Sequence, residues 1–78
     1  MKLPIYSEAA LNCDLAEQGL RRGDVVKLVD ELNAPDGTPS YAVEVLNALG
    51  DTVKVTALPG WALQALRVDE ILCVRPVG

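Results

Sequence analysis

Two pairs of adjacent carboxylates, Asp30-Glu31 and Asp69-Glu70, come first, because paired acids can share general acid and base work. That work needs both groups to converge on one substrate. Asp30-Glu31 ends a valine- and leucine-rich run of extended character, and neighbours on a strand point to opposite faces. Asp69-Glu70 stands where a tight turn needs a cap for its backbone N–H groups. Both pairs therefore read as solvated charge. Cys13 and Cys73 are the only thiols, and the chain has no histidine. A cysteine nucleophile needs a nearby base, and a metal site needs further soft or imidazole ligands, so neither chemistry finds support. The cysteines read as small apolar filler near the first and last strands, reduced rather than bridged. Gly19 to Gly23 is no phosphate cradle: it lacks the Lys-Ser/Thr ending and opens a strand, not a helix. The expectation is a protein without a cofactor and without catalysis.

Arg21 and Arg22 form the only adjacent basic pair in a chain of 78 residues with net charge −4. Phosphate-driven binding needs clustered Lys and Arg, so nucleic acid is disfavoured as a partner. With Asp24 close by, the two arginines are expected to make a salt bridge across their own turn. An RNA-binding barrel would have to rest on Arg21, Arg22, Lys27 and Lys54. Acidity is the one argument for an immunity- or antitoxin-like accessory role on a basic partner. No window approaches the roughly 18 apolar residues of a membrane span, and Met1-Lys2-Leu3-Pro4-Ile5-Tyr6 has no apolar leader core. A cytoplasmic location is expected.

The elements that must position these residues are short. One domain over 1–78 is expected, and a chain of this size buries only about 60% of its unfolded surface. Half of the residues are hydrophobic, mostly Leu, Val and Ala, with no Phe and one Trp. Gly19-Leu20-Arg21-Arg22-Gly23-Asp24 punctuates the chain most clearly: a glycine at each end permits positive φ, and a valine-rich run follows. Strands are predicted over 8–12, 24–32, 41–46, 52–57 and 72–75. Paired apolar residues in the second imply burial on both faces or a bulge near its middle. The segment 14–18 is a compact loop pinned by Leu15 and Leu20. Pro35-Asp36-Gly37 and Gly50 mark the next two turns. In the fourth strand, Val53, Val55 and Ala57 are expected to face inward, with Thr52, Lys54 and Thr56 outward. Pro59-Gly60 breaks the ladder, 61–66 has helical spacing but reads equally as an irregular crossover, and Asp69-Glu70-Ile71 makes a tight turn. Short strands at close spacing describe a small mainly β barrel of about five antiparallel strands, with a short helical turn before the last.

Taken in order, Ser7-Glu8-Ala9-Ala10-Leu11, the Gly19 to Val25 turn, Val43-Glu44-Val45-Leu46-Asn47-Ala48-Leu49-Gly50-Asp51 and Leu66-Arg67-Val68-Asp69-Glu70-Ile71-Leu72-Cys73-Val74-Arg75-Pro76 resemble the small bacterial domain-of-unknown-function family 4926. The resemblance implies an SH3-like barrel and carries no established activity. Two stretches depart from the family pattern: Ala16-Glu17-Gln18, and Pro59-Gly60-Trp61-Ala62, which is apolar where the crossover is usually polar.

Trp61 lies outside the alternating strands, on that apolar crossover. Aromatic anchors on such segments are enriched at interfaces. Trp61, Leu63 and Leu66 are therefore read as an apolar patch covered by a second copy or a protein partner. The leading functional expectation is a non-catalytic, self-associating interaction module.

Overall fold

The computed structural model describes residues 3–76; of the opening segment weighed above, Met1 and Lys2 lie outside it. Five strands form one antiparallel sheet: β1 (Glu8–Leu11), β2 (Val25–Asn33), β3 (Pro39–Leu46), β4 (Thr52–Pro59) and β5 (Leu63–Ala65). Their spatial order is β4-β3-β2-β1-β5. The mainly β class holds. Two 3-10 turns, Ala16–Gln18 and Gly60–Ala62, complete the regular structure, and the second precedes a last strand that is Leu63–Ala65 and not 72–75.

The sheet is curled but not closed. β4 and β5 stand at its opposite edges, yet only the three-residue turn Gly60–Ala62 joins them. Four strand spacings of about 4.8 Å would put those edges about 19 Å apart in a flat sheet, whereas four residues span at most about 14 Å. The chain therefore forces a strong bend, and the two edges do not pair.

Local chemistry accounts for most of this. Gly19, Gly23, Gly37 and Gly50 all adopt positive φ, as their turn positions require. At Gly23 (φ 92°) the N–H reaches the Leu11 carbonyl at 2.8 Å, and the chain swings into β2. Leu15 and Leu20 bridge each other around the first 3-10 turn, with Leu20 buried and Leu15 packed against the core. The expected bulge lies between Leu28 and Asp30. Ala9, Leu11, Val26, Leu28, Tyr41, Val43, Leu58 and Leu63 form the core with Leu20.

Two expectations fail. Residues 72–75 form no strand; the fifth strand is Leu63–Ala65, which pairs with the free edge of β1. The chain leaving Gly60–Ala62 meets that edge first. The second failure is the facing of β4. Residues directly opposite on paired strands share a face. Thr56 pairs with the buried Val43, Lys54 with Val45, and Leu58 with Tyr41, so Lys54, Thr56 and Leu58 point inward. Val53, Val55 and Ala57 point outward and are exposed. The inward polar groups are satisfied by Gln18: its carbonyl accepts from Lys54 Nζ at 2.6 Å, and its Oε1 accepts from Thr56 Oγ1 at 3.0 Å.

Candidate functional site

Trp61 is held by its backbone and offered by its side chain. Asn12 clamps the turn that carries it: Nδ2 donates to the Trp61 carbonyl at 2.8 Å, and the Asn12 N–H donates to the Ala62 carbonyl at 2.9 Å. Gly60 lets the turn approach β3 closely, because a Cβ there would come within 3.2 Å of the Pro39 carbonyl oxygen. The indole is 65% exposed. It stands as a ridge between two shallow depressions. One, of about 310 Å³, runs past Ala57, Pro59 and Thr38; the other, of about 480 Å³, past Tyr41, Leu63 and Gln64.

The outer face of β4 continues this surface. Val55 is 63% exposed and Val53 45%, and Ala57 carries the row into the first depression beside Trp61. Ala42, Glu44 and Leu46 share this face on β3, where Glu44 lies opposite Val55. The expected patch is thus only partly assembled. Trp61 and Leu66 are exposed, but Leu63 is a core residue at 7% exposure, because β5 turns it inward. Val53 and Val55, expected inside, take its place.

Charge is arranged differently from the sequence expectation. Asp24 does not pair with the side chains of Arg21 or Arg22. It accepts the Arg21 backbone N–H at 2.8 Å and a two-pronged hydrogen bond from Arg75, from Nε at 2.8 Å and from Nη2 at 2.5 Å. Arg75 Nη2 also donates to the Gly19 carbonyl at 3.1 Å. Arg75 holds the Asp24 carboxyl below the usual carboxylate range, assisted by the Arg21 N–H and opposed by partial burial. The Arg22 N–H goes to Asp14 Oδ1 at 2.9 Å. Among the carboxylate pairs, Asp30 accepts the Glu31 N–H, and Asp69 and Glu70 both engage Arg67. Both cysteines are free thiols; Cys13 is half-buried, but Cys73 is exposed and fills no core. Among the described residues no cluster of three His, Cys, Asp or Glu side chains is arranged to hold a metal ion. No helix there is long and apolar enough to cross a membrane.

Comparison with known protein families matches one model, that of a domain of unknown function, DUF4926, over residues 5–65. The chain belongs to that family. No curated protein and no solved structure matches it significantly. The DUF4926 match covers all five strands, the Trp61 turn and Asp24, and it stops where β5 ends. Arg75 and the segment leading to it lie beyond the match, so the Asp24–Arg75 pair joins the family core to a stretch outside it. Asn12, Gln18 and Arg75 were missed by sequence reasoning. Each acts through partners at least 36 residues away, and no local pattern carries that information.

Proposed function

We propose that this DUF4926 domain is a non-catalytic protein-interaction module that self-associates through the apolar surface running from the outer face of β4 to Trp61. The observation that carries this reading is the exposed row Val53-Val55-Ala57 on an edge strand, ending beside an indole whose backbone is locked and whose ring is in water. Natural edge strands are usually blunted by charge or proline. Here Pro59 blunts only the end of β4, and its one charged residue, Lys54, is turned inward onto Gln18. The same reading places the module in the cytoplasm, where Cys13 and Cys73 remain thiols. Against a nucleic-acid role, Lys54, one of the four residues such a role would rest on, donates to the Gln18 carbonyl, and the net charge of −4 repels a polyanion.

Trp61 is the only tryptophan, which makes its fluorescence a direct probe of this surface. As concentration rises, its emission is expected to shift to the blue while light scattering reports more than one chain per particle. Val55→Lys is expected to abolish both changes without altering the far-ultraviolet dichroism. A single-chain mass at every concentration, with unchanged emission, would refute the proposal.

A further inference from the structure

After β5 the chain runs through residues 66–76 without forming a strand. Its apolar side chains do not pack: Ile71 is 89% exposed and Val74 88%, and Val68 and Leu72 are also in solvent. Yet Ile71-Leu72-Cys73-Val74 has the composition of a strand, apolar and rich in β-branched residues. This arm is not loose at its far end, because Arg75 ties it to Asp24 and to the Gly19 carbonyl. Gly19 adjoins Gln18, which holds Lys54 and Thr56 of β4. The tether therefore links the arm to β4 through Gly19 and Gln18, and the outer edge of β4 has no hydrogen-bonded neighbour among the described residues.

Among the described residues, one chain thus carries both halves of a strand addition: a donor without a strand partner and an acceptor edge that is unpaired. We infer that in the associated form residues 71–74 of one copy add as a strand to the β4 edge of a second copy, and that the exchange is reciprocal. Three arguments favour a second copy as the occupant. Arm and β4 are tied to the same loop at Gln18 and Gly19, so a two-fold axis beside that loop would set each arm against the partner's β4 and close the assembly. Main-chain bonds would satisfy the edge, while Ile71 and Cys73, on one face of the added strand, would lie along Val53, Val55 and Ala57, and Leu72 and Val74 would take the other face. A stable pair buries about 800 Å² per partner, roughly a seventh of the 5572 Å² surface. Each protomer contributes both an arm and an edge, and the side chains of arm and edge with the backbone between them are of the right order for that area.

This inference rests on the self-association reading, and the test separates the two. The full chain is compared by light scattering with a chain ending at Leu66 and with the full-length double variant Ile71→Asp, Val74→Asp, which retains Arg75. Both variants are expected to run at the mass of one chain while keeping native dichroism. Cys73 supplies a second readout: in a Cys13→Ser, Val55→Cys background, mild oxidation of mixed isotope-labelled and unlabelled chains is expected to join position 73 of one label to position 55 of the other. Crosslinks confined to one label would mean that the arm folds onto its own β4, and would overturn the exchange. A dimer unaffected by either arm variant would also overturn it while leaving self-association standing. A full chain that is monomeric throughout would remove both.

Discussion

Asp24 joins residues that are far apart in sequence: it ends the Gly19 to Gly23 turn, takes the Arg21 N–H, and receives Arg75 from 51 positions away. Its side chain is largely covered, so these charge-assisted bonds are stronger than an exposed ion pair. A carboxylate with a lowered folded pKa stabilises the fold at pH values above its unfolded pKa of about 3.9, and that contribution disappears as pH falls through the folded value. Asp36 is lowered in the same direction by the Thr38 N–H, so both groups weaken the protein in acid. Asp24→Asn keeps an acceptor for Arg21 but loses the charge, and is expected to cost about 1 kcal/mol at neutral pH. Urea unfolding at neutral pH and near pH 3 checks this. The gap between the native chain and Asp24→Asn is expected to narrow in acid, and parallel pH profiles would show that Asp24 contributes nothing through its charge.

Strand alternation sets a period but not a phase, and β4 shows the consequence. Thr52-Val53-Lys54-Val55-Thr56-Ala57 has two possible inner faces, and hydrophobicity alone selects the valines. The register with β3 selects the other face, and Gln18, on a distant loop, makes it affordable by bonding Lys54 and Thr56. Stability should follow the register. Val43→Ala removes two buried methyl groups and is expected to cost about 2 kcal/mol, while Val55→Ala is expected to stay within about 0.5 kcal/mol. Urea midpoints at low protein concentration measure both, and equal costs would mean that β4 faces the other way. The elements set by local chemistry were legible: the glycine turns, the Leu15–Leu20 loop, the bulge in β2 and the first four strands. Those decided by competition between segments were not. Residues 72–75 have the better strand composition, but Leu63–Ala65 reaches the β1 edge first and leaves them unpaired. Trp61 was legible as a surface residue because it falls outside the alternation; Leu63, two positions on, was not, because its inward direction comes from β5 pairing.

At the scale of the whole molecule, a 78-residue chain with a core of aliphatic residues and one buried Tyr41 has little stability to spare, and the proposed self-association would couple directly to folding. For a pair, a tenfold rise in concentration is worth about 1.4 kcal/mol, or about 0.7 kcal/mol per chain. A domain of this size gains about 4–8 °C in Tm per kcal/mol, so each tenfold step is expected to raise the apparent Tm by about 3–6 °C. Salt distinguishes the kinds of contact. Each copy carries a net charge of −4, so two copies repel, and added salt screens that repulsion without weakening apolar burial. Self-association is therefore expected to strengthen modestly from low to physiological salt. Binding driven by phosphate contacts moves steeply the other way. Sedimentation or light scattering across a salt series reads the sign directly. A complex that weakens as salt rises would place its attraction in the charged residues and not in the row from Val53 to Trp61.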